Sequence, residues 1–500
     1  MERSDKKRSI AVVPGDGIGK EVIPAALKVV EATGAAVEFS IFDWSADRYL
    51  KDGTTIPPDG FAMLERDFDA IFVGALGDPR VPTNIHAKEI LLGMRFKMDL
   101  YANVRPVKLL DEALCPLKGI KPEHVDFVVI RENTEGPYVD AGGVLKQGTA
   151  DEIATQEDFN TRKGVERVIR FAFELARKQG RKKVLMSDKS NVMTFAGGLW
   201  QRVFKIVAAD YPEIQTQHMY VDALCMHMAR DPKQFDVIVT NNMFGDIITD
   251  LAAALQGGLG MAASGNIHPG KTSMFEPVHG SAPPFAGKNI ANPNGAISTA
   301  AMMLEHLGFA NESERINKAV FAAVQQKKTT ADIGGSLGTK EAAEWIGNRI
   351  AGDLTERYSN PNALNTKKGK DFQEACAAAL KILKGGEFDF EVPLDASGKI
   401  HRFDIASRDR LLVAECKAFT WTSTGNIPAA KMTTLKEAIG YLRSLPLDKK
   451  LFLFIQQDFH PEKKETLGAY FVRLNRHLLT NITVLELSLA GGEPKILHGE

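Results

Sequence analysis

Short apolar runs that alternate with longer amphipathic stretches constrain the fold of this chain more than any other feature of its sequence. Mostly apolar runs of four or five residues predict buried strands at 10–13, 70–74, 127–130, 183–187 and 237–240. Amphipathic stretches predict helices at 19–33 and 161–179, and a further helix that begins at Asp246. Strands that alternate with helices build a mainly parallel sheet covered by helices. Residues 1–357 are therefore predicted to form an α/β domain.

A change in composition after residue 357 predicts a second domain. The segment 358–369 is polar, contains a proline and three asparagines, and is expected to be a linker. A helix is predicted at 371–383, strands at 388–392, 400–405, 411–417 and 451–455, and helices at 433–445 and 467–479. Residues 370–500 are therefore predicted to form a second α/β domain.

Composition excludes several classes of protein. The 500 residues include 62 basic and 63 acidic side chains, so no overall charge attracts nucleic acid or acidic membranes. The four cysteines stand far apart and form no C-x-x-C pair, which argues against a zinc ribbon or a disulfide framework and favours the reducing cytoplasm. The longest weakly polar stretch, 251–263, is too short and too rich in glycine to span a bilayer. We expect no membrane association.

A glycine-rich segment, P-G-D-G-I-G at 14–19, lies between the first predicted strand and helix. Glycines let the backbone approach a ligand closely, and helix N-termini attract anions. The spacing is G-x-G-x-G and differs from the dinucleotide-binding G-x-G-x-x-G. Taken alone, the segment fits a ligand-binding loop and a tight structural turn equally well.

Three arginines predict a site for a dicarboxylate. Arg131 follows a predicted strand directly, and Arg95 and Arg105 lie in the segments L-L-G-M-R and Y-A-N-V-R-P. Guanidinium groups bind carboxylates through two parallel hydrogen bonds. A single arginine is usually a surface charge, but three near strand ends favour a binding site.

Asp246 and Asp250 lie four residues apart and so share one face of their helix. Their neighbours are apolar, and carboxylates in apolar surroundings need a cation. Oxygen ligands suit Mg²⁺ or Mn²⁺, although a solvated helix edge would show the same spacing. The proline-rich loop 274–284, with His279 in it, is suited to hold a flat ring and a ribose, or to form only a rigid turn.

Together these segments resemble the β-decarboxylating dehydrogenases, the family of 3-isopropylmalate, isocitrate, homoisocitrate and tartrate/malate dehydrogenases. The resemblance covers residues 10–357 with every motif in order, including R-E-N-T-E-G at 131–136, D-K-S-N-V-M at 188–193 and F-G-D-I-I-T-D at 244–250. It implies two α/β subdomains that share one large sheet, distinct from the Rossmann fold, and a homodimer.

The resemblance also implies a reaction. A nicotinamide cofactor takes a hydride from C2 of a 2-hydroxy dicarboxylate, and a divalent metal, Mg²⁺ or Mn²⁺, stabilises the enolate that forms as CO₂ leaves. Lys189 is the implied base on the C2 hydroxyl, and Tyr138 the implied proton donor to the enolate carbon. The implied carboxylate-binding residues are Arg95, Arg105 and Arg131. The implied metal ligands are Asp222, Asp246 and Asp250, with Lys189 and Asp222 reaching the partner's site. The implied cofactor-binding residues are Glu276, His279, Gly280, Ser281, Ala282, Asn289 and Asn292.

Two leucines, Leu91 and Leu92, favour 3-isopropylmalate as the substrate. In the isocitrate branch, short hydroxyl or amide side chains at this position bind a third carboxylate, which leucines would leave unpaired. Burying an isopropyl group here contributes about 2 kcal/mol. The expected function is the conversion of 3-isopropylmalate to 4-methyl-2-oxopentanoate in leucine biosynthesis, with tartrate, D-malate or isocitrate as alternatives.

Two positions depart from the family pattern. Pro284 stands where NAD-linked members usually carry an acidic residue, and it does not supply the cation expected for NADP either. NAD is the expected cofactor, and NADP is the alternative. Lys88 stands where the 3-isopropylmalate branch carries a glutamate, and Glu89 follows it.

The second predicted domain carries its own charged motif. Asp404 lies in one predicted strand, and Glu415 and Lys417 lie two apart on the next, so those two point to the same face. Two carboxylates and a lysine can hold Mg²⁺ and activate water for phosphodiester cleavage. With Glu374 from the preceding helix, the arrangement resembles the PD-(D/E)xK nuclease-like, or restriction-endonuclease-like, fold over residues 370–490. An ordinary charged strand edge would also fit.

Two functions of different classes follow. The first is a metabolic oxidoreductase with an accessory C-terminal domain. The second is a nucleic-acid-processing or nucleic-acid-binding module, in which the dehydrogenase portion serves as a dimerising scaffold. Because every catalytic position of the family pattern is occupied in the first 357 residues, the oxidoreductase is the preferred prediction. Nucleic acid is expected to bind only through the C-terminal domain.

Overall fold

The computed structural model divides the chain into two compact units, Met1–Gly352 and Asp353–Glu500. The structure describes residues 7–359, 361–396, 400–419, 421, 429–460, 463–488 and 493–499, and only the backbone of 353–359, 361–371, 429 and 430. Among these residues, none of the helices combines the length and apolar character needed to cross a membrane.

The first unit contains the twelve strands and most of the helices that the chain forms before residue 359. The strands are β1 (Arg8–Gly15), β2 (Val37–Ile41), β3 (Ala70–Ala75), β4 (Ala102–Lys108), β5 (Asp126–Glu132), β6 (Gly142–Leu145), β7 (Ile153–Gln156), β8 (Lys183–Asp188), β9 (Gln215–Tyr220), β10 (Val237–Thr240), β11 (Ala263–Ile267) and β12 (Ser273–Pro277). The helices are α1 (Gly19–Ala32), α2 (Ala46–Asp52), α3 (Gly60–Asp67), α4 (Ile85–Ala87), α5 (Gly93–Lys97), α6 (Arg162–Lys178), α7 (Thr194–Ala208), α8 (Val221–Arg230), α9 (Asn242–Leu255), α10 (Asn294–His306), α11 (Ala310–Gln325) and α12 (Thr339–Ser359). A π-helical segment, Lys88–Leu92, joins α4 to α5.

Ten of these strands form one sheet in the order β2-β1-β3-β12-β11-β4-β5-β10-β8-β9. The pairs toward both edges are parallel, which confirms the predicted α/β fold. In the centre, β11 is antiparallel to β12 and β4, and β4 is antiparallel to β5. The alternation of strands and helices did not predict this antiparallel centre. Strands β6 and β7 form a separate antiparallel hairpin.

The two faces of this sheet differ, and the difference positions the candidate site. One face carries a continuous apolar core against α1, α6 and α10. On the other face, one apolar cluster covers β1 and β3, and a second covers β5 and β10. Since side chains alternate between the faces of a strand, the polar residues of β4, β5, β11 and β12 lie in the gap between these clusters.

Local signals explain several helix boundaries. Helix α6 begins at Arg162 because the Thr161 side chain accepts a hydrogen bond from Gly164 N at 3.0 Å. The helix predicted to begin at Asp246 begins four residues earlier, at Asn242. The Asn241 side chain caps it by accepting a hydrogen bond from Phe244 N at 2.9 Å. The predicted start was therefore wrong by about one turn, which leaves Asp246 inside the helix.

The second unit is a mixed sheet between two helical layers. Its strands are β13 (Phe388–Asp395), β14 (Ile400–Ser407), β15 (Leu412–Lys417), β16 (Lys450–Gln456), β17 (Phe459–His460), β18 (Glu465–Thr466), β19 (Ile482–Leu487) and β20 (Lys495–His498), and its helices are α13 (Pro361–Lys384), α14 (Ala429–Arg443) and α15 (Leu467–Asn475). The sheet order is β13-β14-β15-β16-β19-β20. Helix α13 packs on one face, and α14 and α15 pack on the other. The segment predicted as a linker, 358–369, is helical on both sides of residue 360.

Candidate active site

The three predicted arginines converge in the polar gap of the first unit. Arg131 ends β5, Arg105 lies in β4, and Arg95 lies in α5; each is at most 7% exposed. A glycine makes room for the deepest of them, since a Cβ atom on Gly245 would lie 2.5 Å from Arg131 Cγ. Burial of three cations in one place prepares the site for an anion with more than one negative charge.

Asp246 and Tyr138 complete this cluster. The Asp246 carboxylate pairs with Arg131, accepts a hydrogen bond from Tyr138 Oη at 3.0 Å, and lies 3.8 Å from Arg105 Nη2. Asp250, one turn further along α9, lies 4.0 Å from Arg105 Nη1. The predicted substrate-binding and proton-donating residues are thus brought together with two of the three predicted metal ligands.

The charges of the cluster shift several pKa values. Burial would raise the pKa of Asp246, but Arg131 and Arg105 hold it below its usual value. Burial, Arg131 and Arg95 together lower the pKa of Arg105 to about 10. Burial raises the pKa of Tyr138, so its phenol stays protonated at neutral pH. Tyr138 thus carries a proton and lies beside the ionised carboxylate of Asp246.

Lys189 and Asp222 form a separate pair. Lys189 Nζ donates to Asp222 Oδ1 at 2.7 Å, and this hydrogen bond lowers the pKa of Asp222. The Asp222 side chain is 67% exposed. Among the described side chains, no hydrogen bond or ion pair joins this pair to the cluster around Asp246, and no three acidic, histidine or cysteine side chains form a metal site within one chain. Asp246 and Asp250 offer oxygen ligands suited to Mg²⁺ or Mn²⁺, but they are two ligands, not three.

The predicted cofactor loop lies against the glycine-rich turn after β1. Ile18 N donates to Ser281 O at 2.8 Å, and Gly17 has a φ of +52°. A Cβ atom on Gly17 would lie 2.0 Å from Ser281 O, so only glycine fits here. The glycines thus allow the turn after β1 to pack closely against the backbone of the predicted cofactor loop.

Within this loop, His279 is the side chain best placed to contact a ligand. It is buried, burial lowers its pKa, and its Nε2 atom has no hydrogen-bond partner among the residues that the structure describes. A buried atom of this kind fits a polar group of a bound cofactor. Asn289 and Asn292, also predicted to bind the cofactor, hydrogen-bond Glu341 and Asp332 at 2.9 Å each and so hold the loop to the following helices. Pro284 is exposed beyond it.

Glu276 is placed differently from the rest of the predicted cofactor set. Its Oε1 atom accepts hydrogen bonds from Arg95 Nη2 at 2.7 Å and from Asn266 Nδ2 at 2.9 Å. The carboxylate therefore lies under the arginine cluster, on the substrate side. The family resemblance placed Glu276 in the cofactor set. In the structure the residue belongs to β12, and its side chain follows the strand's alternation.

Leu91 and Leu92 lie in the π-helical segment and are half-buried, one turn before Arg95. Leu91 packs against the apolar cluster of β1 and β3. The neighbouring Lys88 and Glu89 are exposed, and Glu89 accepts a hydrogen bond from Thr55 Oγ1 at 2.6 Å. A π-helical turn is rare and often found at functional sites.

Sequence analysis missed the polar residues that hold these groups. Asn242 accepts from Arg131 Nε at 2.9 Å, Thr249 accepts from Arg105 Nη1 at 2.6 Å, and Asn103 accepts from Arg105 Nε at 2.8 Å. One signal was present: Asn103 and Arg105 lie two apart in a strand and so share a face. The other two contacts join residues 111 and 144 positions apart.

The charged residues of the second unit converge as predicted. Lys417 Nζ contacts Glu415 and lies 3.2 Å from Asp404 Oδ2, which also accepts from Cys416 N at 2.6 Å. Burial raises the pKa of Glu415. Burial alone would lower the pKa of Lys417, but Glu415 and Asp404 raise it, so the ammonium stays charged.

One predicted residue of this second cluster was wrong. The contact from α13 to Asp404 comes from Gln373, whose Nε2 atom lies 2.7 Å from Asp404 Oδ1, whereas Glu374 is exposed. Phe372 and Cys376 occupy the buried face of the helix, which turns Gln373 toward the sheet edge and Glu374 to solvent. His401 was missed: its Nε2 atom lies 2.9 Å from Glu415 Oε1, and its ring stacks on Tyr441 at 3.8 Å.

Comparison with known proteins agrees with the site in the first unit. The family model of isocitrate/isopropylmalate dehydrogenases matches residues 9–346. The 3-isopropylmalate dehydrogenase of Thermobifida fusca is 46% identical over 348 residues, which cover 68% of this chain and 97% of that protein. The 3-isopropylmalate dehydrogenase of Streptomyces coelicolor is 47% identical over 344 residues, or 67% of this chain and 98% of that protein.

Solved structures show the same fold. The isocitrate dehydrogenase of Methylococcus capsulatus superposes with a TM-score of 0.63 at 38% identity, covering 69% of this chain and 99% of that one. The fold and the arginine–tyrosine–aspartate cluster define a dehydrogenase of the β-decarboxylating class. The chain belongs to the isocitrate/isopropylmalate dehydrogenase family, whose members in general use a nicotinamide cofactor and a divalent metal.

Proposed function

We propose that the first unit oxidises and decarboxylates 3-isopropylmalate to 4-methyl-2-oxopentanoate with reduction of NAD, as a step of leucine biosynthesis in the cytoplasm. The observation that carries the proposal is the convergence of three buried arginines beside a protonated tyrosine, one helical turn from two leucines. The arginines suit the two carboxylates of the substrate, and the leucines suit its isopropyl group.

In this proposal the side chains have separate tasks. Arg95, Arg105 and Arg131 hold the carboxylates and orient C2 toward the cofactor loop. Lys189 of the partner subunit accepts the proton of the C2 hydroxyl while the hydride of C2 leaves to the nicotinamide ring. The bond to the departing CO₂ then breaks, its electron pair forms the enolate, and Tyr138 returns a proton to the carbon.

The metal fits the oxygen ligands on α9. Asp246 and Asp250 would hold Mg²⁺ or Mn²⁺ together with Asp222 of the partner subunit. When bound, the ion withdraws electron density from the C2 oxygen and so stabilises the enolate. Asp246 also pairs with Arg131, and a substrate carboxylate bound there would be a second partner for that guanidinium.

Exposed apolar side chains support a homodimer as the working form. Val192 beside α7, Phe195 in α7 and Ile247 in α9 are 69%, 94% and 57% exposed, and Met226 in α8 is half exposed. These residues belong to the same elements as Lys189, Asp222 and Asp246. Apolar surface of this kind marks a protein interface, and an interface here would bring Lys189 and Asp222 to the site of the other copy.

A substrate screen with the full chain tests this function. NADH absorbance is followed with 3-isopropylmalate, isocitrate, tartrate and D-malate, each with NAD and with NADP, in Mg²⁺ and in Mn²⁺. We expect the highest kcat/KM for 3-isopropylmalate with NAD. A preference for isocitrate would overturn the substrate, and a lack of turnover with all four acids would overturn the reaction. The full chain carrying Lys417→Ala is the control and should behave like the wild type.

A second function is proposed for the second unit, because Asp404 of β14 meets Glu415 and Lys417 of β15. Two carboxylates, completed by water and phosphate oxygens, suffice to hold Mg²⁺. We propose a nuclease-like domain that cleaves phosphodiesters of nucleic acid at this cluster.

The full chain is incubated with DNA and with RNA in Mg²⁺ or in a chelator. Cleavage that requires Mg²⁺ and is abolished by Lys417→Ala supports the proposal, and no cleavage of either substrate overturns it.

A further inference from the structure

A buried hydrogen-bond chain lies behind the arginine cluster and connects two of its members. Arg105 Nε donates to Asn103 Oδ1 at 2.8 Å, and Asn103 Nδ2 donates to Asn266 Oδ1 at 3.0 Å. Asn266 Nδ2 donates to Glu276 Oε1 at 2.9 Å, which also accepts from Arg95 Nη2 at 2.7 Å. These hydrogen bonds therefore connect Arg105 to Arg95 without interruption.

Its centre is Asn266, on the strand between β4 and β12. The residue is fully buried and lies directly opposite Asn103 in the antiparallel register. Its Oδ1 atom also accepts from Asn133 Nδ2 at 2.9 Å. Both ends of the Asn266 amide are thus used by other buried polar groups.

The arginines and the Glu276 carboxylate determine the direction of every hydrogen bond in this series. Arginine only donates and an ionised carboxylate only accepts. Asn103 must therefore turn its oxygen to Arg105 and its amide nitrogen to Asn266, and Asn266 must turn its nitrogen to Glu276. A side chain at position 266 that cannot both accept and donate a hydrogen bond interrupts this series of hydrogen bonds.

We propose that Asn266 is a positioning residue that fixes the orientation of Arg95 and Arg105 toward the substrate's carboxylates. The inference rests on the proposed dicarboxylate function. It also assigns Glu276 a place in the substrate site in addition to its predicted cofactor role. Asn266 itself does not touch the substrate. It acts because Arg95 reaches it through Glu276, and Arg105 reaches it through Asn103.

The test compares Asn266→Leu, Asn266→Asp and the double variant Asn266→Asp/Glu276→Gln. Leucine cannot hydrogen-bond, and aspartate places an acceptor against Glu276. The double variant keeps the total charge and reverses one hydrogen bond, since the new amide at 276 can donate to the new carboxylate and still accept from Arg95. Thr299→Val is the matched control, because Thr299 is also fully buried and its hydroxyl donates only to Gly295 O at 2.7 Å.

We expect Asn266→Leu and Asn266→Asp to raise KM for 3-isopropylmalate by about 10- to 100-fold, the usual effect of losing a group that orients a ligand-binding residue. KM for NAD should stay within about twofold in the two single variants, and the double variant should recover at least about a third of the loss in substrate KM of Asn266→Asp. Thr299→Val should lower the melting temperature without raising the substrate KM.

Three results would overturn the proposal: an unchanged substrate KM in the single variants, an equal rise for NAD, or no recovery in the double variant. If Asn266→Leu does not fold, the comparison of Asn266→Asp with the double variant is sufficient to test the proposal. Titration calorimetry with 3-isopropylmalate is run in parallel on each protein. Wild-type binding without turnover would be a failure of the proposed reaction, and the variants would then be judged by their Kd. Wild type that neither binds nor turns over the acid overturns both proposals.

Discussion

The two charged clusters of this molecule use opposite arrangements of charge. In the first unit the arginines are buried, while Asp246 and Asp250 are 47% and 64% exposed. In the second unit Glu415 is buried, and Lys417 lies between it and Asp404. Buried arginines leave a positively charged site that can bind a dicarboxylate. The exposed carboxylates of Asp246 and Asp250 remain accessible to a metal ion. A buried carboxylate, Glu415, and a partly buried one, Asp404, on either side of one lysine are suited to bind a cation.

This contrast shows that the residue types in a charged cluster do not by themselves identify the ligand that binds there. Both clusters contain two carboxylates, and both carboxylate pairs were predicted as metal ligands. Which charge is buried decides what must be brought in from solution, because burial is costly for a charge that lacks a partner.

The largest effects are expected from the two groups that move protons. Tyr138→Phe and Lys189→Met should each slow NADH formation or decarboxylation by roughly 10²–10⁴-fold, the usual contribution of a general acid or base. Tyr138→Phe should mainly slow decarboxylation, and Lys189→Met should slow hydride transfer. Rapid-mixing measurement of NADH and of released CO₂ separates the steps. Equal and mild losses in both variants would contradict the separate roles.

The same two variants test the shared site. Mixing unfolded Tyr138→Phe and Lys189→Met chains and refolding them together creates mixed dimers with one intact site if Lys189 serves the other copy. Random pairing should then restore about a quarter of wild-type activity. Refolding each variant alone is the control. If both groups act within one chain, no activity returns.

A smaller effect is expected at the metal site. Asp250→Asn should raise the Mg²⁺ or Mn²⁺ concentration needed for half-maximal activity by about 10- to 100-fold, because the carboxamide is neutral and a weaker ligand. Asp67→Asn, a change at an exposed carboxylate paired only with Arg66, is the matched control. Identical metal titration curves for the three proteins would remove Asp250 from the site.

The next effect is about 30-fold and concerns specificity. Leu91→Ser combined with Leu92→Asn should lower kcat/KM for 3-isopropylmalate by that factor, since about 2 kcal/mol of isopropyl burial is lost. The value for isocitrate should rise, because the new polar groups can bind its third carboxylate. Parallel losses for both acids would mean that the two leucines support the fold and do not face the substrate.

The sequence predicted the elements whose pattern is local and missed the contacts that are not. Strands β1, β5 and β8 and helix α6 were predicted to within a few residues, because apolar runs and helical periodicity depend on near neighbours. Motifs brought Arg95, Arg105, Arg131, Tyr138 and Asp246 into one prediction, and the structure brings the same residues together. Asn266 carries no motif, and its partners Asn103 and Asn133 lie 163 and 133 positions away. Only the antiparallel centre of the sheet brings them into contact.

The smallest expected effect separates two neighbours in α13 that the sequence could not distinguish. Gln373 hydrogen-bonds Asp404 at 2.7 Å, and Glu374 is exposed. Gln373→Leu should destabilise the second unit by about 1 kcal/mol, the usual net value of one hydrogen bond. Glu374→Gln should change stability by less than about 0.5 kcal/mol, as exposed substitutions usually do. Hydrogen exchange at Cys416 N, which donates to Asp404, reports on this cluster directly, since a loosened carboxylate exposes that amide. Faster exchange in Gln373→Leu with no change in Glu374→Gln is the expected result, and the reverse would restore Glu374 to the site that the sequence assigned to it.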